Sequence, residues 1–507
     1  MTSNRAQQMS PPAYPFTPVI NLDILALIMT FVEKRQDLLS FMHTCRALYT
    51  AGIQPLLRLA TDISTSKLQS FHTFMFAHSP ASFAALRHLH FVDYPRVAPE
   101  HVKNLASLLE RSLHLEELKI PSCVLDADPR IPLSISSYKA LVSLDLWPGQ
   151  SSEAESMLSR LHSPLKDLDV SFAHIEQDPV SLLSRFRDTL ETACLVNVTT
   201  MRTDFSYVKL TKLVLYCTLP QLSILTSAFP NLRTLEIEDD HDSSEPMGGI
   251  VAQLGAVRMQ NIAFQGTHRS WTSLRSVSTD VDSLYAMGLR NQIDELNILG
   301  FLPNAPPFGY AWFHSSLDSL QPKELTVWLH DEDINEEYIC GLFAARMDQL
   351  VRLGVTMGAD GHGRYEDALV MLFRAIEHLD ISILDLCLNV GDVARGRQAS
   401  DQESDPSTQP MTALLDGLAR TIGDLLDRHA DTMRSLEVFI CTVASSGRRW
   451  YASFYKEANE DDIGGQKLKQ YKASEGGSPE PEVTARPQEY LQGYSTDKGL
   501  VEYTNLE

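Results

Sequence analysis

Residues that could do chemistry are present in this chain, but their spacing matches no common catalytic or metal-binding pattern. The sequence lacks an H-E-x-x-H zinc motif, a G-x-S-x-G nucleophile turn, a G-x-x-x-x-G-K-[ST] phosphate loop and a cysteine pair at zinc spacing. No histidine pair four residues apart joins a third ligand, and the acidic stretches 236–242 and 331–337 lack the spacing of a calcium loop. We therefore expect no catalytic residues, no metal and no cofactor.

One glycine-rich segment, 358–363, reads Gly-Ala-Asp-Gly-His-Gly. The amides of such a segment can hold phosphate where a strand is followed by the N-terminus of a helix. Its glycine spacing differs from that of the known phosphate loops, so we interpret it as a flexible connector between two elements. An enzyme whose site has no linear motif, within 244–448, is kept only as the third of three hypotheses.

Composition and charge say more about the possible partners of this protein than they say about its fold. The chain has 507 residues, of which 44% are hydrophobic and 21% charged, and a formal net charge of -22. Nucleic-acid binding requires clustered lysine and arginine, so we expect no nucleic-acid partner and favour a basic ligand. The length suits either several globular domains or one extended repeat array.

Cysteine usage and the N-terminus bear on localisation. The seven cysteines are scattered and never spaced as C-x-x-C, which is typical of reduced thiols in the cytoplasm or nucleus. No basic segment leads into an apolar run at the N-terminus, which argues against a signal peptide. No stretch approaches the ~18 apolar residues of a membrane helix. We therefore expect a cytoplasmic or nuclear protein without a membrane partner.

Residues 18–60 are predicted to form a small helical module. A first helix begins at Leu22, with Asn21 capping its first turn. After a charged break, a second helix begins near Asp37 and continues to Gly52, a residue suited to the left-handed end of a helix. Helices this short cannot bury all of their apolar surface alone, so we expect another surface to cover the remainder. The first helix carries apolar residues at helical spacing: Leu22, Leu25, Ile28, Met29 and Val32.

The order of residues in this module resembles the F-box, a small helical domain that docks on the Skp-type adaptor of cullin-RING ubiquitin ligases. The L-P-x-E-I-L-x-x-I-F-x-F-L opening of that family corresponds to 20–32, read as INLDILALIMTFV. The D-L and C-R landmarks of the family correspond to 37–38 and 45–46. The stretch 44–58 is similar, in addition, to the F-box-like proteins that are abundant in mushroom-forming fungi.

Two positions depart from the F-box pattern: Asn21 stands where proline is usual, and Leu48 stands where tryptophan is common. The resemblance implies that apolar residues of the module bind the adaptor, which in turn connects the chain to a cullin. The residues to which this role is carried over are Ile20, Leu22, Ile24, Leu25, Ile28, Leu38 and Leu39. Some of them must face the core of the module, and the sequence does not separate the two sets.

The pattern L-x-x-L-x-L recurs after the module and predicts the fold. Copies begin at 86, 115, 141, 165, 190, 210 and 232, between 20 and 29 residues apart, which is the period of leucine-rich repeats. Segments at helical spacing separate the copies, so each unit is predicted to be a strand followed by a helix. We predict an α/β fold in which the F-box-like module precedes an irregular leucine-rich-repeat solenoid, a horseshoe-like arc of short parallel strands with outer helices. A helix-rich irregular array is the alternative.

The later copies of the pattern are more widely spaced. They begin at 259, 293, 350, 381 and 433, with a partial copy at 325–327. The predicted domains are a disordered lead-in over 1–17, the module over 18–60, the solenoid over 61–444 with a disordered insertion near 395–410, and an acidic, mostly disordered tail over 445–507.

The third and fifth residues of each copy alternate with the leucines, so they should face the open side of the strand layer. Acids outnumber bases there, the bases being Lys119, Lys212 and Arg352. We expect a negative concave face that attracts a basic segment of a target protein, unless the face only shares the general acidity of the chain. The acids predicted to bind the target are Glu117, Asp145, Asp167, Asp169, Glu236, Glu295 and Glu324, and Asp385 and Glu437 occupy equivalent positions.

Two hypotheses without catalysis follow. In the first, the chain is the substrate receptor of an SCF-type ubiquitin ligase, which raises the effective concentration of a bound target near the conjugating enzyme. In the second, it is an interaction scaffold of leucine-rich repeats whose N-terminal helices only cap the array. Removal of residues 1–60 should abolish adaptor binding in the first case and destabilise the repeats in the second.

Overall fold

The computed structural model describes most of the chain between residues 21 and 475, and the predicted lead-in over 1–17 lies outside the described residues. The chain divides into two compact units, Met1–Leu274 and Arg275–Glu507. None of the described helices is both long and apolar enough to cross a lipid bilayer. The described residues are 21–78, 80–91, 98–172, 182–196, 204–216, 220–238, 247–267, 270–299, 308–329, 336–359, 365–390, 409–429, 432–433, 435–445, 448–456, 468–470 and 474–475.

Three helices begin the first unit: α1 (Leu22–Met29), α2 (Arg35–Met42) and α3 (Arg46–Arg58). The predicted cap is confirmed, because the Asn21 side chain accepts a hydrogen bond of 2.9 Å from the N–H of Asp23. Both α1 and α2 pack on α3. One apolar stripe from each helix forms the core of the module: Met29, Leu38, Met42, Leu48, Ile53 and Leu57.

The prediction that a helix ends at Gly52 is wrong, because Gly52 lies inside α3 and that helix continues to Arg58. The reason is packing. A β-carbon built on Gly52 would lie 2.5 Å from Cε of Met29 and closer still to the side chain of Met42. The absence of a side chain at Gly52 therefore lets the neighbouring helices approach α3.

The sheet of the first unit contains eight described strands, each pairing in parallel with the next along the chain. They are β1 (Thr61–Ile63), β2 (His88–Phe91), β3 (Glu117–Lys119), β4 (Ser143–Ser151), β5 (Asp167–Phe172), β6 (Thr192–Val196), β7 (Lys212–Tyr216) and β8 (Thr234–Glu238). Parallel neighbours need a crossover of about a dozen residues, which the repeat period supplies.

Among the described residues, helices occupy six of the seven crossovers, all but the one between β6 and β7, and a further helix follows β8. They are α4 (Thr65–Ala77), α5 (Ala81–Ala85), α6 (Pro99–Arg111), α7 (Cys123–Ala127), α8 (Arg130–Ser137), α9 (Glu153–Arg160), a 3-10 helix (Leu183–Phe186), α10 (Leu222–Ala228) and α11 (Met247–Thr267). The predicted order of a short strand followed by a helix is thus confirmed for every strand of this unit except β6, after which the described residues contain no helix before β7.

The leucine pattern determines which side of the sheet is buried. In β3, Leu118 is fully buried while Glu117 and Lys119 are only partly covered. Leu118 pairs in register with Leu144, which pairs with Leu168, so the leucines form a continuous ladder. The third and fifth residues of each copy lie on the opposite side of the sheet, which we call the open face. The predicted alternation of buried and accessible residues is confirmed in β2, β3 and β8, whereas Val214 of β7 is buried although it lies on the open face.

The strand predicted from Met259 is wrong, because this copy of the pattern lies inside α11. Met259 is 67% exposed, whereas Leu254 and Asn261 are buried. The side-chain oxygen of Asn261 accepts a hydrogen bond of 2.9 Å from the N–H of Leu222, and its amide donates one of 3.0 Å to the carbonyl of Pro220. These bonds attach the helix to the start of α10, and three apolar residues at strand-like spacing do not outweigh them.

The second unit has a parallel sheet, in which the copies predicted at 293, 325, 350 and 381 are confirmed as strands. Its parallel strands are β9 (Ser276–Thr279), β10 (Glu295–Ile298), β11 (Glu324–Leu329), β12 (Arg352–Ala359), β13 (Ile383–Val390) and β14 (Val438–Ser445). Its helices are α12 (Val281–Met287), α13 (Phe308–Leu320), α14 (Glu336–Phe343), α15 (Tyr365–Ile376) and α16 (Gln409–His429). The copy predicted at 433 is displaced, because its strand begins only at Val438, and Phe439 and Cys441 are the register partners of Leu384 and Leu386. Glu437 therefore precedes the strand and is not equivalent to Asp385.

Most of the predicted insertion near 395–410 lies outside the described residues, although α16 already begins at Gln409. The predicted tail from 445 begins with β15 (Arg448–Lys456), which pairs antiparallel with β14. Two short strands, β16 (Leu468–Gln470) and β17 (Ser474–Glu475), also pair with β15. The sheet of the second unit therefore extends into the segment predicted as a tail.

Candidate functional site

The outer side of α1 and the turn after it form an exposed apolar surface. Exposure reaches 60% at Leu27 and 76% at Phe31. A folded chain rarely leaves several large apolar side chains of one short helix in contact with water, and such patches mark interaction sites. The exposed residues, here called the α1 surface, are Leu22, Ile24, Leu27, Ile28 and Phe31.

The local sequence explains why these residues face outward. Helix α1 is apolar at nearly every position, but only Met29 is fully buried, against α3. Leu27 and Ile28 lie three and four residues after Ile24, and Phe31 lies four and three residues after them, so all four share one face of the helix and the turn after it. The side chains of that face are between 43% and 76% exposed. The small core of the module therefore uses one stripe of α1 and leaves the other to a further surface.

A groove adjoins the α1 surface where the turn after α1 meets α2. Its volume is about 650 Å³. Aromatic rings and charged groups both line it, so it combines apolar contact area with polar groups that can fix the orientation of a partner. The lining residues are Phe31, Val32, Glu33, Lys34, Asp37, Ser40, Phe41 and Thr44.

The structure separates the predicted adaptor-binding residues into three groups. Leu22, Ile24 and Ile28 belong to the α1 surface, while Leu25 and Leu39 are half-buried. Leu38 is fully buried in the core of the module, so its assignment to a docking surface is corrected. Ile20 lies outside the described residues.

Sequence reasoning missed Leu27 and Phe31, the two most exposed members of the α1 surface. Both lie outside the set carried over from the family pattern. Their spacing could have identified them. Leu27 lies three residues and Phe31 seven residues after Ile24, which places these three side chains on one side of a helix.

The open face of the first unit carries the predicted acids in two rows that cross the strands. One row pairs Glu117, Ser143, Asp167, Thr192 and Lys212 in register. The second row runs two residues further along each strand. Its members are Asp62, His90, Lys119, Asp145, Asp169, Cys194, Val214 and Glu236.

A cleft of about 260 Å³ opens at the centre of these rows. Asp145 of β4 and Asp169 of β5 are register partners in its floor, so two carboxylates stand on adjacent strands. Oδ1 of Asp145 accepts a hydrogen bond of 3.0 Å from the N–H of Trp147. The Asp169 carboxyl is hydrogen-bonded to the Cys194 side chain, whereas its Oδ1 is buried and has no hydrogen-bond partner among the described residues. Lys119 and Lys212 lie at opposite sides of the cleft.

The electrostatics of the cleft follow from burial. Burial raises the pKa of Asp169 to about 7, and the negative charge of Asp145 adds to the effect. Burial also raises the pKa of Asp145 above its usual range. The pKa of the Cys194 thiol is raised by burial and by Asp169, so Cys194 is not an activated nucleophile. Burial therefore disfavours the charged form of both carboxyls, while the positive charges of Lys119 and Lys212 oppose this effect at Asp169.

An aromatic pair lies next to the cleft. The rings of Trp147 in the middle of β4 and Tyr216 at the end of β7 stack with centroids 6.1 Å apart and planes inclined by 18°. Trp147 comes two residues after Asp145, and Tyr216 comes two residues after Val214. The stacked rings therefore bridge the two strands between β4 and β7, which are β5 and β6. Ser171 and Val196, the residues at this level of the spanned strands, are correspondingly buried.

A hydrogen-bonded network joins β1, β2 and β3 on the same face. Nδ1 of His90 lies 3.2 Å from Asp62 and its Nε2 lies 3.1 Å from Glu117. Nδ1 of His88 also lies 3.1 Å from Glu117, and Nζ of Lys119 lies 3.6 Å away. The hydrogen bond from His90 is the main cause that lowers the pKa of Glu117 to about 2. Glu117 is therefore the shared neighbour of His88, His90 and Lys119.

In the second unit, the predicted acids Glu295, Glu324 and Asp385 lie on their strands as expected. The guanidinium of Arg352 contacts Asp385 and lies 3.9 Å from Glu324. Burial nevertheless raises the pKa of Asp385, with Arg352 opposing it. The acids of this unit are therefore partly neutralised within their own sheet.

The described residues contain no group of three or more histidine, cysteine or acidic side chains arranged to hold a metal ion. The glycine-rich segment over 358–363 is described only at Gly358 and Ala359, the end of β12. The described surfaces can bind apolar and cationic groups. The sequence matches no protein-family model, and no curated protein is significantly similar to it.

Proposed function

We propose that this chain is a substrate receptor of an SCF-type ubiquitin ligase, in which the F-box-like module docks on a Skp-type adaptor. The observation that carries the proposal is the α1 surface, a set of large apolar side chains exposed on the first helix. Burial of such a surface by a partner helix stabilises a complex by about 25 cal/mol for each Å² removed from water. The adaptor would connect the chain to a cullin, in the cytoplasm or nucleus.

The alternative is a scaffold whose N-terminal helices only cap a repeat array. Terminal caps of repeat proteins present a polar outer face, because that face meets water. The outer face of α1 is apolar, with Leu27 and Phe31 more than half exposed. A docking role accounts for this exposure, and a capping role does not.

The remainder of the chain suits target presentation. Strands paired in chain order and separated by helices support the proposal of leucine-rich-repeat units, whose strand layer leaves one face open for a partner. The receptor has no chemical step of its own in this proposal. It holds a target near the conjugating enzyme and so raises the effective concentration of the target lysine.

The proposal is tested by charge substitutions on the α1 surface. The double variant Leu27→Asp, Phe31→Asp should reduce co-purification with a Skp-type adaptor and a cullin by about tenfold or more, since apolar anchors dominate such interfaces. Leu113→Asp is the matched control, because Leu113 is 54% exposed and lies outside the module. It should leave the complex intact.

Point substitutions are preferable to the deletion of residues 1–60. Helix α3 packs on α5, and the carbonyl of Leu57 accepts a hydrogen bond of 3.4 Å from the N–H of Arg87, so the deletion would also uncover the first strands. Unchanged thermal unfolding of the double variant shows that the module is folded. Equal recovery of the adaptor with the double variant and the wild type would refute the proposal.

A further inference from the structure

We propose that the open face of the first unit binds an extended basic segment of the target protein, with one lysine ammonium seated in the cleft between Asp145 and Asp169. This inference rests on the proposed function, because it names the chemistry of the target. It goes further in assigning a specific side-chain pocket to that target. The supporting observations are the charge of the face, the buried carboxylates and the adjacent aromatic pair.

The open face is negative in its own right. Its two rows and the next level of the strands carry seven carboxylates and two lysines among the described residues. One of those lysines, Lys119, lies 3.6 Å from Oε1 of Glu117 and so has an acidic neighbour already. A basic segment is complementary to this surface, whereas a nucleic acid would be repelled. The carboxylates are Asp62, Glu117, Asp145, Asp167, Asp169, Glu236 and Glu238.

The centre of the open face is where we place the bound ammonium group. Asp145 and Asp169 are register partners on neighbouring strands, about 4.8 Å apart at the backbone. The Asp169 carboxyl is hydrogen-bonded to the Cys194 side chain, but its buried Oδ1 has no hydrogen-bond partner among the described residues. A buried acceptor without a partner costs free energy, and a charged donor entering the cleft removes that cost. An ammonium group has three N–H donors and can serve both carboxylates at once.

The aromatic pair supplies the second half of a lysine pocket. Trp147 and Tyr216 follow the floor residues by two positions, a distance of about 7 Å along a strand. A lysine that enters the cleft lays its four-carbon stem along apolar surface while its head reaches the carboxylates. An aromatic ring within about 6 Å of the ammonium adds a cation–π attraction. The cleft, at about 260 Å³, has room for one such side chain.

The experiment measures binding of a fluorescein-labelled peptide of four Lys-Ser repeats to the purified full-length chain by fluorescence anisotropy. The same peptide with norleucine in place of lysine is the ligand control. We expect the lysine peptide to bind and the norleucine peptide to bind at least tenfold more weakly. The double variant Asp145→Asn, Asp169→Asn should weaken lysine-peptide binding about tenfold, and Trp147→Leu about threefold.

The charge-matched control is the double variant Asp188→Asn, Asp348→Asn. Both carboxylates are exposed, at 79% and 54%, and neither lies on a strand. This variant removes the same number of carboxylates and should bind the peptide within about twofold of the wild type. If it weakens binding as much as the cleft variant does, general acidity explains the binding and the pocket is refuted. Wild-type affinity in the cleft variant refutes it equally.

The outcome is separable from that of the proposed function. The α1-surface variant Leu27→Asp, Phe31→Asp should bind the lysine peptide as the wild type does, since α1 and the cleft share no residue. Loss of peptide binding with intact adaptor recovery in the cleft variant supports both proposals. Peptide binding without adaptor recovery in the wild type supports the pocket and contradicts the ligase role.

Discussion

Asp169→Asn should stabilise the first unit at neutral and alkaline pH. In the folded chain Asp169 stands beside Asp145 and Cys194, and burial raises its pKa to about 7. In the unfolded chain the carboxyl returns to its ordinary value of 3.8. The folded state therefore binds more protons between these two values, and the free energy of unfolding falls as the pH rises from 3.8 to 7. Asparagine has nearly the same shape and carries no charge, so it removes this loss.

The magnitude follows from the displacement of the pKa of Asp169. A change from 3.8 to about 7 corresponds to roughly 4 kcal/mol at 1.36 kcal/mol per pH unit. Solvent reaches part of the side chain, so we reduce this figure to about 2 kcal/mol. For a unit of this size such a gain raises the midpoint of thermal unfolding by about 4–8 °C. The gain should be largest above pH 7 and should shrink steadily towards pH 5.

The assay compares thermal unfolding of the wild type and Asp169→Asn from pH 5 to pH 8, followed by circular dichroism. Hydrogen exchange of peptides that cover β5 tests whether the gain is local to the first unit. Asp188→Asn is the control, because this carboxyl is 79% exposed and its removal should have no pH-dependent effect. A stability difference that is independent of pH, or larger at pH 5 than at pH 8, would contradict the reasoning.

Three further predictions concern the first unit. Glu117→Gln should lower its free energy of unfolding by about 1–2 kcal/mol at pH 7, because the hydrogen bond from His90 holds the pKa of Glu117 at about 2, below the ordinary 4.5. Chemical denaturation should show this deficit disappear as the pH falls from 4.5 to about 2, and a deficit that grows on acidification contradicts the assignment. Gly52→Ala should destabilise the module by about 1–2 kcal/mol in thermal melts, since overpacking against two methionines outweighs the better helix propensity of alanine; a stabilised variant would show that the helices separate freely. Leu38→Asp should cost about 3 kcal/mol or more because it buries a charge, whereas Leu27→Asp should change the melting curve little, and similar effects of the two would contradict the assigned burial.

Much of the fold could be predicted from local sequence. The spacing in Leu115-Leu118-Ile120 and its repeats encodes a strand with one buried side, because side chains alternate across a strand. The repetition also aligns neighbouring strands, since equivalent leucines pair in register. The same logic placed Glu117, Asp145 and Asp169 on the accessible side. It failed at Met259, where the hydrogen bonds of Asn261 to the start of α10 hold a helix.

The local pattern could not predict which of two residues of the same type is buried and which is exposed. Leu27 and Leu38 are both leucines on short amphipathic helices, yet Leu27 is 60% exposed and Leu38 is fully buried. The packing of α2 on α3 determines that Leu38 is buried, and this packing depends on Gly52. Gly52 is 10 residues from Met42 and 23 residues from Met29, the side chains that it faces. Helical periodicity identifies an apolar side but does not state which helix covers it.

The acids of β5 also show which properties follow from the sequence and which require the tertiary structure. Asp167 and Asp169 alternate with leucine and valine on one strand, and the sequence by itself determined that both face the open side. Only the tertiary structure placed Asp145 and Cys194 beside Asp169 and left its Oδ1 without a hydrogen-bond partner among the described residues. The physical reason is that the environment of a carboxylate is set by neighbouring strands, which are 20 or more residues away along the chain.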